Sequence, residues 1–187
     1  MKAIRVIENC QSNHLSEEIL LSNEPLLLKN FVHDWPLVKE AKKSDSAVIS
    51  YLSNFDAKKP LTAMTGDPSI KGRIFYNEDL SGFNFDYRRA SLEEIFQKLT
   101  ECSKLQEPPM IYVGSTNIDN WLPGFREEND ITLGKHQPIA SLWIGNRSRV
   151  APHYDFPTNI ACSVAGKRRF TFFSPEHLDN LYVGPID

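Results

Sequence analysis

The chain has 187 residues, 41% of them hydrophobic and 24% charged, with a formal net charge of -3. That length suits one domain burying roughly 70% of the surface of its unfolded chain. A slightly acidic balance without any long Lys/Arg run argues against nucleic-acid binding, and no apolar stretch approaches the roughly 20 residues of a membrane span.

The N-terminus MKAIRVIENCQ lacks the apolar core of a signal peptide. Three cysteines, Cys10, Cys102 and Cys162, have an odd count and no CxxC spacing. They read as reduced thiols of a cytoplasmic protein, with Cys162 a small core residue rather than a nucleophile.

In chain order, Ser16 before Glu17 and Glu18 predicts a short capped helix, and Pro25 to Lys29 an apolar strand. Pro36 starts a helix through Val38 and Ala41. Val48, Ile49, Leu52 and Phe55 have helical spacing, and Lys58-Lys59-Pro60 ends that segment. Leu61 to Met64 and Ile74 to Tyr76 read as strands, with Gly66-Asp67-Pro68 a turn. Ser91 and Glu94 stand at capping-box distance before the apolar face Leu92, Ile95, Phe96 and Leu99. Pro108 and Pro109 stop that helix; Met110 to Gly114 is a strand, and Asn117 to Asn129 reads as a polar loop. Further strands are expected at Ile139 to Ile144, Asn159 to Ala165 and Arg168 to Phe173. Helical signals in the first part and strands in the rest predict a mainly β fold with N-terminal helices.

Within this last stretch, His153-Tyr154-Asp155 stands out. In an extended chain, residues two apart project to the same side. An imidazole and a carboxylate on one face are two thirds of a 2-His-1-carboxylate triad, which suits ferrous iron with open positions. Alone the HxD spacing is weak, since a His and an Asp flanking a turn after Pro152 have the same pattern. Arg168, after the reversal at Gly166, could bind the distal carboxylate of a two-carboxylate co-substrate, or be a solvated hairpin residue.

The segment WIGNRSRVAPHYDFPTNIACSVAGKRRFTFFSP resembles the JmjC-type, cupin-like 2-oxoglutarate oxygenases. The similarity extends to PLLLKNFVHDWPLV, GRIFYNEDLSGFNF and PPMIYVGSTN, and so covers most of the chain. It implies a double-stranded β-helix, or jelly roll, in a single domain over 1–187. Residues 1–108 would form an N-terminal α+β layer and 109–187 the first part of the jelly-roll core. It implies Fe(II) as metal, 2-oxoglutarate as co-substrate, and hydroxylation of a protein or peptide side chain, with small-molecule substrates still open. His153 and Asp155 match the family's first two iron ligands. Asn159 matches an Asn lining the co-substrate pocket, Tyr112 a Tyr touching the oxoacid carboxylate, and Arg168 a Lys pairing with that carboxylate. Val150 replaces a Thr that hydrogen-bonds the oxoacid.

The family's second His ligand lies several tens of residues beyond the motif, on a late strand. His177 is the only later His, at a family position that is not a ligand; His14, His33 and His136 read as surface residues. A jelly roll has about eight strands, and fewer are legible here. The expectation is therefore a shortened version of a longer oxygenase, with open strand edges that a second copy or another chain would cover. The rival readings are a metal-poor cupin-like binding module and a cupin isomerase or hydrolase using another divalent metal.

Overall fold

A computed structural model describes residues 3–182. Its elements, in order, are β1 (Arg5–Ile7), α1 (Glu17–Leu20), β2 (Leu26–Leu28), α2 (Pro36–Ala41), α3 (Asp45–Ser53), β3 (Leu61–Gly66), β4 (Arg73–Ile74) and β5 (Asp86–Ala90). There follow α4 (Leu92–Cys102), β6 (Met110–Asn117), α5 (Ile118–Trp121), β7 (Ser141–Gly145) and β8 (Arg149–Val150).

The framework is an antiparallel sheet in the order β5-β3-β6-β7. Its central strands bury Leu61, Ala63, Met110, Ile111 and Val113. Two short parallel pairs, β1 with β2 and β4 with β8, flank it. The mainly antiparallel sheet with helices over its N-terminal part agrees with the jelly-roll-like class.

Helix α4 forms where its sequence signal is strongest. Ser91 Oγ accepts from the Glu94 backbone N–H at 3.2 Å, and Glu94 Oε2 accepts from the Ser91 N–H at 2.7 Å. Leu92, Ile95 and Phe96 then enter the main core with Leu37, Leu52, Leu122 and Phe125. The Ser91 N–H and hydroxyl hold the Glu94 carboxyl below its ordinary range. A depressed folded-state pKa contributes stability above the unfolded value and loses it as pH falls through the folded one. Unfolding midpoints measured through the acid range should therefore fall less steeply for Glu94→Gln than for the parent chain.

Two expectations are corrected, and one strand is found where none was expected. Asn117 to Asn129 is not a loop: it holds α5 and a 3-10 turn at Phe125–Glu127, and it buries Ile118, Leu122, Phe125 and Asn129. Strand β5 was hidden by its polar sequence, DYRRA, which survives at a sheet edge because β3 supplies the ladder. The strands expected at 159–165 and 168–173 are not paired. Ile160, Cys162 and Val164 are half-buried and alternate with exposed Ala161, Ser163 and Ala165, so the period-two pattern is present. Among the described residues no neighbouring strand completes a ladder there. Ile160 and Cys162 instead pack against the small cluster of Cys10, Leu15, Phe31 and Val32. Burial pushes the Cys162 thiol up to about 11, so it stays protonated at neutral pH, as a packing residue should.

Candidate metal and oxoacid site

The site is built on β6 and on the chain that follows β8. Asn146 ties the β7–β8 turn to the start of β6. Its Oδ1 accepts from the Ile111 N–H at 3.0 Å, and its Nδ2 donates to the Pro109 carbonyl at 2.8 Å. Gly145 faces Tyr112 across the β6–β7 ladder. A Cβ there would meet the Ile111 carbonyl at 2.5 Å, and one on Gly114 would meet the Tyr112 ring at 2.8 Å. These two glycines leave the room in which the Tyr112 ring lies. A glycine inside a strand pattern signals such close approach, and the sequence reading passed over both.

Tyr112 is half-buried. Burial raises its phenol above the ordinary range; the Arg168 charge and a hydrogen bond with Arg168 draw it back, while Asp155 adds to the rise. Arg168 and Asp155 therefore both act on Tyr112. Asn159 Nδ2 donates to Asp155 Oδ2 at 2.8 Å. Four of the five predicted residues, Tyr112, Asp155, Asn159 and Arg168, thus lie near one another, although they come from β6 and two later stretches of chain. Arg168 also stands 5.7 Å from the centre of the Phe170 ring.

His153 is held separately. Its Nδ1 lies 2.9 Å from the Ala151 carbonyl oxygen. That bond assigns the proton to Nδ1 and leaves the Nε2 lone pair free, the tautomer a metal ligand needs. His153 and Asp155 are both exposed. The segment is tethered upstream, where β8 pairs with β4 and the Arg149 N–H donates to the Gly72 carbonyl at 2.8 Å.

No group of three or more His, Cys, Asp and Glu side chains able to hold a metal exists among the described residues. His177 lies in the 3-10 turn Pro175–Asn180, exposed and apart from this group. His14, His33 and His136 occupy turns of their own: the His14 and His136 N–H groups bond to the carbonyls of Gln11 and Leu133, and His33 Nδ1 lies 2.6 Å from the Asn30 carbonyl. The donors present fit ferrous iron in kind and, in number, supply two of three. Elsewhere, no helix among the described residues is long and apolar enough to cross a membrane.

Residues 12–187 match the sequence model of the family described as cupin-like domain. A relative, JmjC domain-containing protein D of Dictyostelium discoideum, is 22% identical over 189 aligned residues, which cover 91% of this chain and 39% of that protein. The chain thus spans about two fifths of that relative's length.

Proposed function

The chain belongs to the JmjC-type cupin-like domain family, and on that premise we propose that it is an Fe(II)- and 2-oxoglutarate-dependent oxygenase acting on a protein or peptide side chain. The family commonly includes such oxygenases. The observation that carries the reading is the grouping of Asp155 with Asn159, Arg168 and Tyr112, two residues along the chain from a His153 whose Nδ1 bonds the Ala151 carbonyl.

In this reading His153 Nε2 and Asp155 would hold the iron, whose contribution when bound is activation of O₂. Asn159 orients the Asp155 carboxylate by donating to Oδ2, leaving Oδ1 for the metal. Arg168 supplies a fork of donors for the far carboxylate of the oxoacid. The Tyr112 phenol stays protonated through the neutral range, because its pKa is raised. It can therefore donate to the same carboxylate. Val150 adds no hydrogen bond there, so Arg168 and Tyr112 carry the oxoacid.

Anaerobic addition of Fe(II) and then 2-oxoglutarate should give a weak visible band near about 500 nm, as expected of an oxoacid bound to non-haem iron. Arg168→Ala should weaken oxoacid binding about tenfold or more, the loss of one charge-assisted pair, with iron content unchanged. Unaltered oxoacid affinity in that variant would remove Arg168 from the role.

A second reading is favoured by the two-donor count: a cupin-like binding module without metal. Iron at background in elemental analysis, together with no visible band, would select it. Metal bound with no response to the oxoacid would point instead to a cupin isomerase or hydrolase.

A further inference from the structure

Strand pair β4–β8 sets Arg73 opposite Arg149 and Ile74 opposite Val150. Partners across a ladder project to one face, so the two arginine stems stand side by side. Like charges directly opposite on a sheet are unfavourable. Both residues are exposed, and neither forms an ion pair among the described residues. The chain as a whole is acidic, with a net charge of -3. In the turn that follows β4, Asp79 accepts from the Ser81 N–H and hydroxyl and pairs with neither arginine. An uncompensated local conflict of this kind belongs to a functional surface.

A second feature adjoins the first. The Arg73 guanidinium lies 4.4 Å from the centre of the Phe75 ring, which fixes its position. From Phe75 a run of rings continues through Tyr76 (5.3 Å), Phe83 (5.6 Å), Phe85 (4.9 Å) and Tyr87 (5.4 Å), each distance between successive centroids. Phe83 and Tyr87 are 40% and 56% exposed. A cationic pair thus sits at one end of an aromatic strip, and β8 ends three residues before His153.

We propose that this face binds an acidic polypeptide segment, with carboxylates on Arg73 and Arg149 and apolar side chains on Phe83 and Tyr87. Two guanidinium forks match carboxylates with paired donors. The rings give apolar area at low entropic cost. Two guanidinium groups without a carboxylate partner among the described residues select an acidic occupant. RNA could use the same rings by stacking, so preference for oligouridine is the competing outcome of the test. That the bound segment is also the substrate delivered to His153 and Asp155 rests on the oxygenase reading; that it binds does not.

The test is fluorescence anisotropy with the full chain, no iron added, and three labelled probes: a peptide alternating Glu and Leu, its counterpart with Lys for Glu, and oligouridine. The acidic peptide should bind saturably and weaken with added salt. Arg73→Gln/Arg149→Gln should weaken it about tenfold or more, the loss of two charge-assisted contacts. Arg149→Gln alone should leave the thermal midpoint unchanged or higher, since it removes a repulsion; this separates a binding role from a structural one. Equal binding of the two peptides, preference for oligouridine, or unchanged binding in a folded double variant would overturn the proposal. Peptide binding by a chain that takes no iron would sustain it while sinking the oxygenase reading.

Discussion

Asp155→Ala is expected to lower iron affinity by more than about a hundredfold, because loss of an outer-shell partner of a metal ligand already costs 10–100-fold. Stability should hardly move, within about 0.5 kcal/mol, as for surface substitutions generally. The contrast follows from the position of the side chain. Asp155 is exposed, and its hydrogen bond is to Asn159, which is exposed as well. Nothing buried is left without a partner when the carboxylate goes. His153→Ala should behave alike, since its ring bonds only the carbonyl of nearby Ala151 among the described residues. Asn159→Ala should give a smaller loss of iron, about tenfold, because it frees the carboxylate without removing it. Elemental analysis of protein reconstituted with Fe(II), with thermal melts run on the same samples, checks all three. Parent-like iron in Asp155→Ala would remove that residue from the site, whereas background iron in the parent chain would support the binding module.

Asn129→Ala is expected to destabilise the protein by roughly 2–4 kcal/mol, the cost of a buried amide removed from several partners. Asn129 is 2% exposed. Its Oδ1 accepts from the Leu37 N–H at 3.0 Å, in the first turn of α2, where no intrahelical partner exists. Its Nδ2 donates to the Tyr51 hydroxyl at 2.8 Å and to the Phe125 carbonyl at 3.2 Å. One side chain therefore caps α2, holds α3 through Tyr51, and pins the turn at Phe125–Glu127. That turn carries Phe125, whose ring meets Phe55 and Tyr51 edge-on at 5.6 and 6.4 Å. Removing the amide strands the Leu37 N–H in the interior. Tyr51→Phe removes one partner of the same network and should cost only about 1 kcal/mol. Tyr51 also donates to Glu128 at 2.8 Å, so the two substitutions should be non-additive in a double-mutant cycle. Urea unfolding of the two single variants and the double variant measures this; simple additivity would mean that the residues do not act as one network.

The readable parts of the sequence were those whose structure rests on neighbours along the chain. The capped start of α4 at Ser91, the proline start of α2, and the apolar runs of β2, β3, β6 and β7 obey local rules, and they formed close to where those rules put them. Membership of the cupin-like family was legible as well, from the segment around His153 and Asp155. The polar sequence of β5 concealed a strand whose only ladder partner among the described residues is β3, and Asn129 looked like a loop residue until α2 and α3 closed around it. In the opposite sense, Ile160, Cys162 and Val164 have strand periodicity yet pack against the small cluster and the main core without entering a ladder.

What the sequence determined by itself was therefore the family, the local elements and the chemistry of single side chains. Only the tertiary structure decided which of them act together. It drew Tyr112 on β6 to Arg168 and Asp155, and it set Arg73 against Arg149. Hydrogen-bond partners and neighbouring charges that lie tens of residues away leave no periodic trace in the chain; they exist only once loop closure and burial have brought the segments together.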